Sequence, residues 1–265
     1  MPTVFITGAS SGIGLETAKL FREHGWNLVA TMRTPEKSED IIGDNTLVTR
    51  CDVTDLDSIG TAVDEAMARF GSIDVLVNNA GYYAVGVFEN STPEQRRRQI
   101  DTNLMGLMDV TQKVLPHMRT QGSGVIINIS SIAGVISIPL QSLYNASKWA
   151  IEGFSEALHY ELRPFGIRVK IIEPGVVKTN FLGRSMTRIE NVPEYEPYAT
   201  DVLRNIFTTG ETGSDPCLVA KKIFEAATDS KTKMRYRVGK NSHVIPLRSI
   251  LPTGVFISLI RRIME

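Results

Sequence analysis

The chain has 265 residues, of which 42% are hydrophobic and 22% are charged, as is typical of a soluble globular protein with a sizeable core. Its 29 basic and 29 acidic residues balance, which argues against nucleic acid as a partner. Two cysteines, Cys51 and Cys217, are too few for a disulfide framework, and no Cys/His cluster has metal-ligand spacing, so we expect no metal. No targeting segment and no apolar run long enough to span a membrane is found, so we expect a cytoplasmic protein without a transmembrane segment.

Short apolar runs alternate with longer segments of helical periodicity along the whole chain. The runs predict seven strands, at residues 3–7, 27–32, 46–51, 73–77, 124–129, 168–172 and 234–238. Capping residues followed by proline, at Thr92 and at Asp215, indicate two of the helix starts. We therefore expect a single α/β domain over residues 1–265, with a Rossmann-like, doubly wound parallel sheet and helices on both faces.

A glycine-rich turn, TGASSGIG, follows the first predicted strand and opens a helix through residues 15–24. Glycine lets the backbone approach a pyrophosphate closely, and the amides at a helix start favour anionic phosphate. The turn predicts a dinucleotide-binding site formed by Gly8, Ser10, Ser11, Gly12, Ile13 and Gly14. A tight turn that binds no ligand is the alternative.

The end of the second predicted strand bears on which dinucleotide binds. An acidic residue there would accept from the ribose 2′-hydroxyl of NAD(H), whereas arginine suits the 2′-phosphate of NADP(H). Met32 stands near the place of the carboxylate, and Arg33 follows it. The sequence therefore favours NADP(H) over NAD(H), with a solvated loop arginine as the alternative.

Tyr144 and Lys148 are four residues apart in a segment of helix formers, so they share one helix face. Carbonyl reduction requires a proton donor, and a nearby ammonium would lower the pKa of the tyrosine from its usual value near ~10. The same spacing recurs at Tyr236 and Lys240, but in a strand-like run, where it does not bring two side chains together. Tyr144 and Lys148 are therefore the candidate acid/base pair.

These motifs occur in an order that resembles the short-chain dehydrogenase/reductase family, from Val4 to about Thr179. After the glycine-rich turn come Asp52 and Val53, NNAG at 78–81, Asn103, Ser131, YNASK at 144–148 and PGVVKT at 174–179. The resemblance implies an NADP(H)-dependent oxidoreductase that moves a hydride between nicotinamide and a carbonyl or secondary alcohol.

The resemblance also implies roles for individual residues. Tyr144 would be the acid/base, Lys148 would also bind the nicotinamide ribose, Ser131 would hold the substrate oxygen, and Asn103 would support a water relay. Ser131 is preferred to Ser130 because the family places its serine 13 residues before the tyrosine. Further implied cofactor contacts, each of which could instead be a turn or strand end, are Asp52, Val53, Asn79, Ala80, Gly81, Pro174, Gly175, Val177 and Thr179.

The segment of about 180–215 loses clear periodicity and gains aromatic and apolar residues. We expect it to be a substrate lid, with a pair of surface helices as the alternative. Its composition favours an apolar carbonyl or alcohol substrate, such as an apolar ketone or aldehyde. RYRVG at 235–239 is similar to the steroid and retinol dehydrogenase branch, and this resemblance implies a steroid or retinoid. The tail LPTGVFISLIRRIME is expected to pack against the lid or a neighbouring subunit, and peripheral membrane contact is the less favoured alternative.

Two other functions stay open at this point. A non-catalytic NADP(H) sensor could use the same fold, but it would not need Asn103, Ser131, Tyr144 and Lys148. A ketoreductase acting on carrier-bound acyl chains would need a basic docking patch, for which residues 96–98 are a candidate. The family resemblance further implies a homodimer or homotetramer, paired through the helices that follow Asn103 and Tyr144.

Overall fold

The computed structural model describes residues 1–37, 41, 43–178 and 186–264. Nine strands in this part of the chain are β1 Thr3–Thr7, β2 Asn27–Met32, β3 Thr46–Arg50, β4 Val75–Asn78, β5 Tyr83–Val85, β6 Gly124–Ile129, β7 Ile167–Pro174, β8 Met186–Arg188 and β9 Arg235–Val238. Seven of them form one parallel sheet in the order β3-β2-β1-β4-β6-β7-β9, and β5 pairs with β8 separately. The strand order changes direction between β1 and β4, which is where ligands bind in such sheets.

Helices cover both faces of the sheet. They are α1 Gly12–Glu23, α2 Leu56–Phe70, α3 Pro93–Ile100, α4 Gly106–Gln121, α5 Ser142–Leu162, α6 Tyr198–Glu211, α7 Pro216–Thr228, α8 Ile245–Ile250 and α9 Thr253–Met264. Along β1, Val4 and Ile6 pack with α1 and α7, whereas Phe5 packs with α2 and α4 on the other face. Side chains alternate between the two faces and helices cover both, so all five residues of β1 are buried and its centre is apolar. The expected Rossmann-like doubly wound fold is confirmed.

The predicted strand boundaries are correct to within a few residues. The largest shift at a strand start is at β4, which begins at Val75 instead of residue 73. Just before it, the Asp74 carboxylate accepts a hydrogen bond from the Thr3 amide at 2.7 Å. The short strands β5 and β8 were not expected, since three residues carry no readable alternation. Both capping predictions are confirmed: Thr92 forms a capping box with Gln95, and the Asp215 carboxylate accepts from the Cys217 amide.

A π-helical turn, Asp101–Met105, joins α3 to α4 without a break. Such turns widen a helix by one residue and are frequent at functional sites. The turn carries Asn103, whose side chain is buried. None of the helices in the described residues is long and apolar enough to cross a membrane.

Buried polar side chains tie the centre of the sheet to the helices beside the site. The Asn78 amide donates to Asn128 Oδ1 and to Thr111 Oγ1, both at 2.9 Å, and the Asn128 amide donates to Ser155 Oγ at 2.9 Å. Asn128 is fully buried, so its hydrogen bonds have no water to replace them. This network holds the end of β4 at the point where the NNAG motif leaves the sheet.

We predict that Asn128→Ala lowers the free energy of unfolding by about 2 kcal/mol, because it removes an acceptor from buried Asn78 and leaves a small cavity. Urea denaturation followed by circular dichroism measures the loss. Thr120→Ala is a matched control that removes one hydrogen bond at an exposed position, and it should change stability by less than about 0.5 kcal/mol. Equal effects for the two variants would contradict the assignment.

Candidate active site

A cavity of about 330 Å³ lies at the carboxyl edge of the sheet, across the reversal between β1 and β4. Most of the predicted site residues line it: Gly8, Ser10, Ser11, Gly12, Ile13, Arg33, Asp52, Val53, Asn79, Ala80, Gly81, Ser131, Tyr144, Lys148, Pro174, Gly175 and Val177. Gly14 and Asn103 do not line it, and Thr179 lies outside the described residues. The cavity is also lined by Tyr82 and Thr102, which the sequence did not single out, and by Arg98, which it singled out only as part of a docking patch.

The glycine-rich turn is held in shape by the NNAG segment. Gly8 has a φ of +68°, a backbone conformation that favours glycine. A Cβ on Gly14 would lie 2.3 Å from the Gly8 carbonyl oxygen, so Gly14 permits a close backbone approach without facing the cavity. The Asn79 amide donates to the Thr7 and Gly8 carbonyls at 2.9 and 3.0 Å. Asn79 therefore braces the turn as well as lining the cavity.

One end of the cavity brings Arg33 close to Asp52. The Asp52 carboxylate accepts from the Thr54 hydroxyl at 2.8 Å and from the Thr54 amide at 3.1 Å. Burial acts to raise the pKa of Asp52, but these hydrogen bonds and the charges of Arg33 and Arg50 outweigh it and lower that pKa. Arg33 itself is exposed at the cavity rim, directly after β2.

Ser131 and Tyr144 meet where α5 begins beside the end of β6. The Ser131 hydroxyl accepts from the Ala133 amide at 3.1 Å, which holds the serine at the start of a short helical turn. Burial raises the pKa of Tyr144 to about 12, and a hydrogen bond with Ser131 acts in the opposite direction. The expectation of a lowered tyrosine pKa is thus wrong for the protein's own groups, because loss of hydration outweighs the interactions that favour the phenolate.

Lys148 is buried one turn further along α5. Its ammonium donates to the Ile129 carbonyl at 2.7 Å and lies 5.7 Å from the centre of the Tyr144 ring. Burial lowers the pKa of Lys148 to about 8, although the Glu152 carboxylate acts to raise it. The predicted proximity of Tyr144 and Lys148 is therefore present, with a weaker acid and a weaker base than in water.

Asn103 supports the site from behind the cavity wall. Its side-chain oxygen accepts from the Tyr82 amide at 2.7 Å, and its amide donates to the Tyr82 carbonyl at 2.9 Å and to Ser147 Oγ at 3.2 Å. These contacts tie the π-helical turn to the NNAG segment and to α5. The side chain of Asn103 therefore positions these segments. Its role in a water relay stays a prediction.

A buried charge cluster behind Lys148 was not expected from the sequence. Glu152 is 7% exposed, and Arg235 Nε lies 3.2 Å from the carboxylates of both Glu152 and the fully buried Glu173. Burial raises the pKa of Glu152 to about 7; the Ser130 hydroxyl and Arg235 act against this, while Glu173 adds to it. The four-residue spacing from Lys148 was a readable signal, but the partners on β7 and β9 were not.

The structure also describes the two alternatives to the site residues, Ser130 and the second Y-x-x-x-K pair. Ser130 is buried and its hydroxyl interacts with Glu152, although the residue also lines the first cavity beside Ser131. In β9, Tyr236 donates to the Asp229 carboxylate at 2.6 Å and accepts from Lys170 at 2.9 Å, whereas Lys240 contacts Thr212. The second Y-x-x-x-K pair is therefore separated, as the strand-like pattern predicts.

A second cavity, of about 260 Å³, meets the first one at Ser131 and Tyr144. Most of its lining is apolar, from Tyr83, Ile132, Ala133, Ile136, Ile138, Val176, Val177, Ile206, Val244, Ile260, Ile263 and Met264. The Tyr83 and Tyr144 rings pack edge to face, with centroids 4.8 Å apart. Residues of α6 and α9 form the wall opposite the sheet.

Comparison with known proteins agrees with this geometry. The model of the short chain dehydrogenase family matches residues 2–189. The oxidoreductase YusZ of Bacillus subtilis is 39% identical over 97% of this chain and 96% of its own, and a 3-ketodihydrosphingosine reductase of Bacteroides thetaiotaomicron is 42% identical over 93% and 91%. A solved short-chain dehydrogenase from Streptomyces avermitilis has 33% identity and a TM-score of 0.86, covering 98% of this chain and 97% of that one. The chain belongs to the short-chain dehydrogenase family and is an oxidoreductase.

Similar solved structures contain nicotinamide cofactors. A 3-ketoacyl-(acyl-carrier-protein) reductase from Brucella melitensis, with 25% identity and a TM-score of 0.76 over 91% of this chain and 98% of that one, is complexed with NADH. ElxO, with 25% identity and a TM-score of 0.73 over 89% and 97%, has NADP bound. These similar structures support a nicotinamide cofactor, but they do not distinguish NAD from NADP.

We predict that Glu152→Gln changes the pH dependence of stability. Glutamate ionises near 4.5 when unfolded and near 7 in the folded chain, so its favourable contribution is present below pH 4.5 and is lost as the pH rises through 7. Relative to the glutamine variant, the wild type should lose about 3 kcal/mol between pH 4.5 and 8. Urea denaturation across this range measures the difference.

Glu156→Gln is the matched control, because it removes an exposed carboxylate that pairs with the same Arg235. Its difference from wild type should vary by less than about 1 kcal/mol over the same range. A pH-independent difference between wild type and Glu152→Gln would show that the pKa of Glu152 does not change on folding and would refute the assignment.

Proposed function

We propose that the protein is an NADP(H)-dependent oxidoreductase that interconverts an apolar ketone or aldehyde and its alcohol. The observation that carries the proposal is that Ser131 and Tyr144 line both cavities. A carbonyl oxygen between these two hydroxyls would lie beside the cofactor cavity, while its apolar substituents would extend into the second cavity. A site of this kind needs no further group to position the reacting oxygen.

The first cavity offers suitable groups for a dinucleotide. The Ser11 hydroxyl caps none of the amides at the start of α1, and the first turn of that helix contains no acidic residue. These amides are therefore available to phosphate, which helix N-termini attract. We assign the pyrophosphate to residues 8–13, with Gly14 allowing the turn, the adenine to Asp52 and Val53, the adenosine ribose to residues 79–81, and the carboxamide to Pro174, Gly175, Val177 and Thr179.

The proposed chemistry assigns one task to each of four side chains. When bound, the nicotinamide supplies or accepts the hydride. Tyr144 donates the proton to the substrate oxygen in reduction and takes it back in oxidation, and Ser131 holds that oxygen. The Lys148 ammonium stabilises the phenolate and binds the nicotinamide ribose, while Asn103 keeps the adjoining wall in place and supports proton delivery. A cationic nicotinamide would favour the phenolate further, opposing the effect of burial.

The proposed preference for NADP(H) rests on the end of β2. No carboxylate stands at the strand end, where Met32 lines the cavity, and the exposed guanidinium of Arg33 follows directly. Arginine binds phosphate through charge-assisted hydrogen bonds that a ribose hydroxyl cannot match. The Arg33 charge also acts on Asp52, which places it near the adenosine end.

The apolar second cavity supports the proposed substrate class. Ile206, Thr209 and Gly210 of α6 line it, which supports a lid over about 180–215 within one domain of residues 1–265. Two of the similar proteins are named as reductases of 3-keto compounds. A ketone is therefore our preferred carbonyl. RYRVG forms β9 and contributes Arg235 to the charge cluster, so it does not bear on the substrate, and the steroid and retinol branch stays a prediction.

The alternative of a carrier-bound acyl substrate depends on the arginines of α3. Arg96 is hydrogen-bonded to Ser91 at the start of this helix, and Arg98 lies over the Tyr82 ring at 4.5 Å. Only Arg97 and Arg98 are exposed, so the three do not form a uniform patch for an acidic carrier. We therefore prefer a free small-molecule substrate to a carrier-bound one. A non-catalytic sensor is less favoured, because binding a dinucleotide alone would not require the second cavity.

We also propose a homodimer or homotetramer. Met105, Trp149 and Tyr160 are exposed by 45%, 44% and 74% on the π-helical turn and α5. Aromatic residues of this size are enriched in subunit interfaces. The cytoplasmic location stays a prediction.

We predict that Tyr144→Phe lowers kcat for NADPH-dependent ketone reduction by about 10²- to 10⁴-fold while NADPH still binds. Absorbance at the reduced-nicotinamide band, against a panel of aliphatic, aromatic, steroid and retinoid carbonyls, measures turnover, and fluorescence titration measures binding. Ser131→Ala should lose much of the rate, whereas Ser130→Ala should be mild because that hydroxyl faces Glu152.

Tyr236→Phe is the control for loss of a buried tyrosine hydroxyl, and it should reduce stability without reducing kcat. Near-native turnover in Tyr144→Phe would refute the proposed chemistry. Binding of NADPH without turnover of any carbonyl by the wild type would favour the sensor.

We predict that Arg33→Gln raises KM for NADPH by about 10- to 100-fold, since a charge-assisted hydrogen bond contributes about 1.5–3 kcal/mol. NADH lacks the 2′-phosphate and is the internal control, so its KM should be unchanged. Initial rates with both cofactors measure the effect. Unchanged KM for both would mean that Arg33 is only a solvated surface residue.

A further inference from the structure

The last two helices carry a concentration of exposed apolar side chains. Fifteen large apolar residues are exposed in the part of the chain that the structure describes, and five of these lie within residues 247–263. We call these five the C-terminal apolar face: Leu247 (37% exposed), Ile250 (74%), Val255 (55%), Ile257 (61%) and Ile263 (57%). Isolated exposed apolar residues are ordinary, but a cluster in so short a segment marks an interaction surface.

Helix α9 has more apolar surface than its packing uses. Phe256, Ile260 and Met264, spaced four apart, form its inner stripe and pack against α6, α8 and neighbouring loops. The Met264 carbonyl also accepts from the Asn205 amide of α6 at 2.9 Å. Val255 and Ile263 lie beside this stripe on the same helix and are left exposed. The helix therefore contacts the predicted lid segment, as the sequence predicts for the tail, while Val255, Ile257 and Ile263 stay exposed on its flanks.

The segment that carries this face is rich in positive charge. Residues 230–264 contain eight lysines and arginines and no aspartate or glutamate, although the whole chain has no net charge. Arg248, Arg261 and Arg262 lie on α8 and α9 themselves, and the Arg248 guanidinium is 5.6 Å from the centre of the Phe256 ring. The face therefore combines apolar side chains with a positive rim.

We propose that the C-terminal apolar face docks on the surface of a bilayer that contains anionic phospholipid. Short helices with apolar side chains and flanking arginines lie in the interface between headgroups and acyl chains. Lysines and arginines near an anionic leaflet add electrostatic attraction. Symmetric pairing of two copies through this face would instead bring their arginines together, which is unfavourable. No described helix can span the membrane, so the contact is peripheral.

The position of the second cavity agrees with this docking. Ile263 belongs to the C-terminal apolar face and also lines the cavity, together with Ile260 and Met264. The cavity therefore reaches the protein surface beside the docked face. An apolar substrate dissolved in the bilayer could enter from there without crossing water. This route rests on the proposed function, whereas the docking itself does not.

Sedimentation of the full-length protein with lipid vesicles tests the docking without any turnover. We expect partition to phosphatidylcholine vesicles containing about 30% phosphatidylglycerol to exceed partition to pure phosphatidylcholine by at least about tenfold. The double variant Ile250→Ser/Val255→Ser changes two exposed residues outside both cavities and should lower partition by about tenfold. Leu56→Ser, at a 67% exposed position on α2, is the matched control and should bind like the wild type.

Absence of binding to anionic vesicles, or equal binding by the double variant and the wild type, would overturn the proposal. Analytical ultracentrifugation of the same proteins gives a second readout. A wild-type assembly that dissociates in the double variant, without vesicle binding, would identify the face as a contact between copies of this chain. Loss of ketone reduction with vesicle binding intact would count against the proposed function and leave the docking standing.

Discussion

Burial of one polar face of α5 against the parallel sheet is the constraint on which the site depends. Tyr144, Lys148, Glu152 and Ser155 follow one another on this face at helical spacing. Each needs a partner because it lies away from water: Ser131, the Ile129 carbonyl, Arg235 and Asn128, respectively. Two of these partners belong to β6, Ser131 follows two residues after that strand, and Arg235 belongs to β9. The register of the sheet thereby determines the geometry of the acid/base pair.

The same burial explains the unusual acid/base properties. Loss of hydration raises the pKa of Tyr144 and lowers that of Lys148, so both groups favour their neutral forms. A neutral tyrosine is the form that donates a proton, but loss of that proton leaves a buried phenolate, which requires additional positive charge nearby. In the proposed chemistry, the oxidised nicotinamide supplies that charge. The groups of the protein and of the cofactor therefore act together, which agrees with two cavities that meet at Tyr144.

Local patterns in the sequence were sufficient to predict the seven strands of the main sheet, the glycine-rich turn and the proximity of Tyr144 and Lys148. Alternation, capping residues and helical spacing all act within a few neighbours, so they can be recognised without coordinates. The direction of the Tyr144 pKa could not be predicted, because it depends on burial by distant segments. Arg235 is 83 residues from Glu152, and Asn79 is 71 residues from the Gly8 carbonyl that it contacts. Which apolar residues of α9 stay exposed is likewise known only once its inner stripe is packed.

The central claim is that the two cavities form one site in which Ser131 and Tyr144 hold the reacting oxygen. A crystal structure of the protein with NADP⁺ and an apolar secondary alcohol tests it most directly. We predict an alcohol oxygen within hydrogen-bonding distance of both hydroxyls, about 2.5–3.0 Å, with the apolar part of the molecule in the second cavity. An alcohol bound elsewhere, or an oxygen that contacts neither hydroxyl while NADP⁺ occupies the first cavity, would contradict the account.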